Sequence, residues 1–138
     1  MISFYFETDF QLEDQEQLRE WIKSVIENRG CEEGDIAYIF CDDDYLHKIN
    51  LQFLEHDTFT DIISFDYSLG KQLHGEIYIS VDRVRENASQ FKVSFLDELH
   101  RVMIHGILHY TGLSDKTSAE SDAMREAENV ALELRNWT

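Results

Sequence analysis

The 138-residue chain has no proline, so its turns must be built by Gly, Asn, Asp and Ser. Cysteine is scarce. Cys31 and Cys41 stand alone, which excludes a disulfide scaffold and reads as two reduced thiols in a reducing compartment. Basic residues are few, 12 Lys and Arg against 28 Asp and Glu, for a net charge of −16. That balance excludes tight, sequence-blind binding to DNA or RNA through a broad basic surface. It leaves room for a small cleft of opposite sign. No apolar run approaches the roughly 18 residues of a membrane span. The first residues, Met1 to Glu7, lack the basic start of a signal peptide, so a cytoplasmic protein without membrane contact is expected. Repeats, low-complexity tracts and linkers are also missing.

What remains is globular. Hydrophobic residues make up 43% of the chain and aromatic residues 12%. The length suits one domain spanning residues 1–138, large enough to bury a core without staples. Strands are expected at 2–7, 36–41, 62–67 and 76–81, with a turn region at 68–75. Leu18, Trp21, Ile22, Val25 and Ile26 at helical spacing predict a helix over 14–29, with Gly30 just beyond its end. Asp42 is an N-cap candidate for a helix carrying Leu46, Ile49 and Phe53. Further helices are expected over 82–91, over 94–110 with Ser94 and Asp97 at its start, and from Thr117 onward. Thr117 and Glu120 form a capping-box pattern there. The order βαβαββααα implies an α+β domain in which helices pack on a small mixed sheet.

The chemistry concentrates in residues 105–115, HGILHYTGLSD. His105 and His109 lie four apart on the predicted helix, so their imidazoles share one face and can share a cation. Gly112 allows a sharp turn, and Asp115 can return to the same point as a third ligand. Two imidazoles and a carboxylate suit Zn²⁺ and leave a fourth position for water, whose pKa the ion lowers toward neutrality. Glu98, Arg101, His105 and His109 fall on one helical stripe. Leu99, Val102, Met103 and Ile107 fall on the opposite face, so the helix can line a cleft from within the fold. The metalloprotease pattern HExxH is broken, because position 106 is Gly and the general-base Glu is missing. A 2-His-1-carboxylate iron site is formally compatible, but no cosubstrate pocket is evident.

The same residues resemble the signature of the YbeY family of bacterial rRNA maturation factors, metal-dependent endoribonucleases with the pattern H-G-x-L-H-L-x-G-Y-D-H. His105, Gly106, Leu108, His109 and Gly112 match in register. Residues 50–65, most clearly Thr60 to Phe65, resemble a second block. Gly75 to Ser80 resembles a third, and Glu120, Met124 and Glu128 fit the last helix. The resemblance implies a metal site on the HxxxH helix beside the sheet, with His105 and His109 as ligands and Asp115 where the family has a third His. Carboxylate oxygen is compatible with Zn²⁺ and moves preference somewhat toward other divalent metals. It also implies an arginine after the aromatic residue of the second block, where this chain has Leu54 following Phe53. His56 and Arg101 are then the candidate catalytic residues for supplying charge or a proton. The implied substrate is single-stranded RNA, an rRNA precursor or ribosomal subunit.

A second reading is a non-catalytic ribosome assembly factor with a structural metal site, whose acidic surface pairs with basic ribosomal proteins. Residues 83–101 carry four basic and three acidic side chains, the one local relief from negative charge.

Overall fold

The computed structural model describes residues 1–55 and 60–137. Its elements are β1 (Ile2–Phe6), α1 (Gln15–Asn28), β2 (Glu32–Cys41), α2 (Asp43–Leu54), β3 (Ile62–Asp66), β4 (Gln72–Ser80), α3 (Val81–Phe91), α4 (Phe95–Tyr110) and α5 (Ser118–Glu133). This is the expected α+β order. The strands form one mixed sheet, β1-β2-β4-β3. β1 and β4 run parallel to β2, and β3 closes antiparallel on β4. No helix among the described residues is long and apolar enough to cross a membrane.

Two strands begin earlier than hydrophobic alternation suggests. β2 starts at Glu32 and β4 at Gln72, and the two starts pair with each other before a register shift between Glu33 and Ile36. Residues 32–35 are mostly acidic and residues 71–74 mostly polar, so backbone pairing sets their conformation. Leu73 is the one apolar side chain fully buried there. The turn shrinks to Leu69–Gln72, closed by reciprocal backbone bonds of 2.9 and 3.0 Å.

One sheet face carries the main core. Ile2, Ile36, Tyr38, Phe40, Ile77 and Ile79 pack with Leu18, Trp21, Ile22, Val25 and Ile26 of α1 and with the apolar side of α4. The Tyr38 hydroxyl donates to the Met103 carbonyl at 2.9 Å, tying β2 to the middle of α4. On the opposite face, Leu46 and Ile49 of α2 pack with Cys41, Ile63, Phe65 and Tyr78. The helix starts follow the expected capping. Asp42 accepts from Tyr45 N, Ser94 from Asp97 N, and Thr117 and Glu120 complete a reciprocal capping box.

Helix α4 is buried on nearly all sides, including at His100. The His100 ring lies between Trp21 and Trp137, 5.7 and 5.8 Å away by ring centroids. Its Nδ1 faces Arg135 Nη1 at 2.9 Å. A guanidinium can only donate, so Nδ1 must accept and the ring must be neutral. Burial first, and then the Arg135 charge, lower its pKa from 6.5 to about 4. The unfolded chain therefore takes up a proton that the folded chain refuses between these values. Stability is full above about pH 6.5 and falls as pH drops toward 4, by an order of about 3 kcal/mol. Urea unfolding at pH 7 and pH 4.5 should show a smaller acid loss for His100→Gln than for the natural chain. Equal losses would refute this role.

Candidate metal centre

Helix α4 ends at Tyr110, and Gly112 with φ of 108° reverses the chain. L side chains rarely adopt that backbone conformation, so Gly fits the turn. The reversal has two consequences. Leu113 is brought back so that its carbonyl faces His109 Nδ1 at 2.9 Å. Asp115 is brought beside both imidazoles, with Oδ2 at 3.4 Å from His105 Nε2 and 3.5 Å from His109 Nε2. The two Nε2 atoms are 3.0 Å apart. His105, His109 and Asp115 thus offer three ligand atoms within 4.8 Å of one another.

The outer contacts orient this cluster. His105 Nδ1 lies 2.6 Å from Glu128 Oε2. A carboxylate and a carbonyl are acceptors, so both rings carry their proton on Nδ1 and turn an Nε2 lone pair inward. Two lone pairs at 3.0 Å beside a carboxylate oxygen repel one another unless a proton or a cation lies between them. The donor set therefore fits a divalent cation, and each imidazole already has the hydrogen bond that fixes a metal ligand's tautomer. Burial lowers the His105 pKa, but the Glu128 hydrogen bond and the charges of Glu128, Asp115 and Asp61 outweigh it and hold it above the ordinary value. Glu128 shows the converse. Burial raises its carboxyl, and His105 and Arg101 together bring it below the usual range.

The cluster opens on a cleft of about 330 Å³. Its walls include Asp61, Asn87, Phe91, Glu98, Arg101, His105, Arg125 and Glu128. The stripe read from the sequence is thus largely a cleft wall. Arg101 sits there, but its guanidinium is engaged internally. Nη1 donates to Glu128 Oε1 at 3.0 Å and Nη2 to Asn129 Oδ1 at 2.9 Å. This favours a positioning role over direct contact with a substrate. His56 lies outside the described residues. Leu54 is the apolar last residue of α2.

Gly106 explains why no HExxH base occurs. A Cβ at this position would lie 3.0 Å from Ile77 Cδ1 and 3.3 Å from Ile62 Cδ1. Position 106 is where α4 rests on the sheet, so a Glu there would point into the core and away from the cleft.

Sequence spacing assigns no site role to the cleft acids Glu128, Glu98 and Asp61. Glu128 interrupts the apolar stripe of α5 formed by Met124, Ala127 and Ala131. An acid at a buried helical position was the available signal, because such a charge needs a partner. Glu98 is buried, and desolvation followed by the Asp61 charge raises its carboxyl. Asp61 is also raised, mainly by burial, against opposing hydrogen bonds and the His105 charge. Its Oδ2 accepts a long 3.5 Å bond from Asn87. Neither pairing is visible from sequence spacing.

Comparison with known proteins identifies the family. The family model described as Endoribonuclease YbeY matches residues 4–135. A Flavobacterium psychrophilum protein named Endoribonuclease YbeY is 56% identical over 134 residues, covering 97% of this chain and 96% of its own. A Flavobacterium johnsoniae protein of the same name is 52% identical over 134 residues, with 97% and 96% coverage. The solution structure of TM1509 from Thermotoga maritima superposes with a TM-score of 0.71 at 28% identity, covering 97% of this chain and 88% of that one. The chain belongs to the endoribonuclease YbeY family.

Proposed function

We propose that this protein is a metal-dependent endoribonuclease, one domain over residues 1–138, that cleaves single-stranded RNA in rRNA precursors in the cytoplasm. The observation that carries the reading is the convergence of His105, His109 and Asp115 with both imidazoles turned inward by their outer hydrogen bonds. The names of the relatives support the substrate class.

His105 Nε2, His109 Nε2 and a carboxylate oxygen of Asp115 would hold the ion, and Zn²⁺ is the ion this nitrogen-rich set suits best. When bound, such an ion supplies Lewis-acid activation of water and of a phosphoryl oxygen. The chain's own groups supply the rest. Glu128 and the Leu113 carbonyl fix the imidazoles. Arg101 holds Glu128 in place. Asp61 and Glu98, whose carboxyls burial makes less acidic, are the candidates for moving a proton at the cleft wall. His56 is retained as a candidate proton donor from the segment before β3. The strongly acidic outer surface suits basic ribosomal proteins as docking partners.

The test is the metal content of untagged protein by mass spectrometry, beside an Asp115→Ala variant. About one zinc per chain, largely lost in the variant, is the expected result. Absence of bound metal after zinc is supplied would refute the mechanism and leave a non-catalytic assembly factor as the better reading.

A further inference from the structure

Two guanidiniums line the cleft among the described residues, and they are not equivalent. Arg101 has a side chain only 19% exposed and spends its donors on Glu128 and Asn129. Arg125, one turn earlier than Asn129 on α5, is 61% exposed, and its ion pair with Glu128 is long at 3.8 Å. It lines the same cleft as His105 and Asp115. The last residue of α3, Phe91, also lines this cleft, and it is 58% exposed. Exposure alone is ordinary in an apolar residue, but this partly open ring belongs to the wall of the cleft that holds His105 and Asp115. A cation and a partly open ring in the cleft of a solvent-accessible His/Asp cluster match the two halves of a nucleotide. Phosphate calls for a forked donor, and an unpaired base calls for a flat apolar face.

We infer that Arg125 pairs with a phosphate of the substrate strand and that Phe91 stacks on an adjacent unpaired base, so that together they set the preference for single-stranded RNA. The inference rests on the reading of the His105–His109–Asp115 cluster as an RNA-cleaving centre. It also shows how a strongly acidic chain engages RNA, through one placed cation and one ring in place of a basic surface. A duplex keeps its bases stacked internally, so Phe91 gains nothing from it.

The experiment is steady-state cleavage of a short unstructured oligoribonucleotide, and of the same strand annealed to its complement, at several salt concentrations. Arg125→Ala, Arg125→Lys, Phe91→Ala, Phe91→Trp and His105→Ala are compared with the natural chain. Arg125→Ala should raise KM about tenfold and reduce the slope of log KM against log salt by about 0.7, the value of one lost phosphate contact on a single strand. Arg125→Lys should restore the slope. Phe91→Ala should raise KM about tenfold at every salt concentration and narrow the preference for single strands, while Phe91→Trp retains both. Unchanged KM and salt slope in both alanine variants, with cleavage still lost in His105→Ala, would overturn the inference alone. A fall in kcat with an unchanged slope would also overturn it, because Arg125 would then be acting only through Glu128. Cleavage that survives His105→Ala would overturn the underlying reading of the site.

Discussion

A His109→Ala variant is expected to lose its bound metal and to cleave RNA at least about a thousandfold more slowly, while keeping its fold. The loss follows from the geometry. His109 is one of three groups that offer an inward ligand atom, and two remaining ligands cannot close a site that needs three. Lewis-acid stabilisation worth several kcal/mol then disappears, and about 4 kcal/mol corresponds to three orders of magnitude. The fold should survive because His109 is partly exposed near the end of α4 and its other bond goes to the Leu113 carbonyl. Removing that bond costs about 1 kcal/mol, or a few degrees in Tm. Circular dichroism melting, metal analysis and a cleavage assay on one preparation check all three statements. A variant that melts normally and still cleaves at the natural rate would show the activity to be a contaminant.

The sequence made the centre of this site legible and left its surroundings hidden, for a physical reason. His105 and His109 are joined by helical periodicity, and Gly112 announces a turn that can return Asp115. All of these are local relations, fixed within about a dozen residues. The groups that orient them are not local. Glu128 comes from α5 and Asp61 from the residue before β3, and their approach to α4 depends on how helices stack over the sheet. The same division runs through the fold. Capping at Asp42, Ser94 and Thr117 was readable because each bond spans three residues. The early starts of β2 and β4 were not, because strands with polar ends are defined by their partner across the sheet and not by their own alternation. Arg101 illustrates the limit most clearly. Helical spacing places it on the stripe with Glu98 and His105, yet a spacing rule cannot reveal that Glu128 and Asn129 occupy its donors.

Replacing Glu128 should therefore damage stability and metal binding together. Its two oxygens serve different partners, Oε1 the Arg101 guanidinium at 3.0 Å and Oε2 the His105 ring at 2.6 Å. In Glu128→Ala a largely buried guanidinium loses its counter-charge, which costs about 3 kcal/mol. His105 simultaneously loses the acceptor that fixes its tautomer, and metal affinity should fall about 10–100-fold. Glu128→Gln separates the two effects. One amide oxygen can accept from either Arg101 or His105 but cannot fill both roles, and its NH₂ group opposes the donor left over. Stability should fall less than in Glu128→Ala, while metal affinity still drops. The combination with Arg101→Leu decides how Arg101 acts. If the guanidinium works by holding Glu128, then Arg101→Leu weakens metal binding in the natural background and adds little once Glu128 is Gln, a non-additivity measurable by competitive chelation. If the two losses simply add, Arg101 contributes independently of Glu128, and direct contact with the substrate becomes the role to test for it.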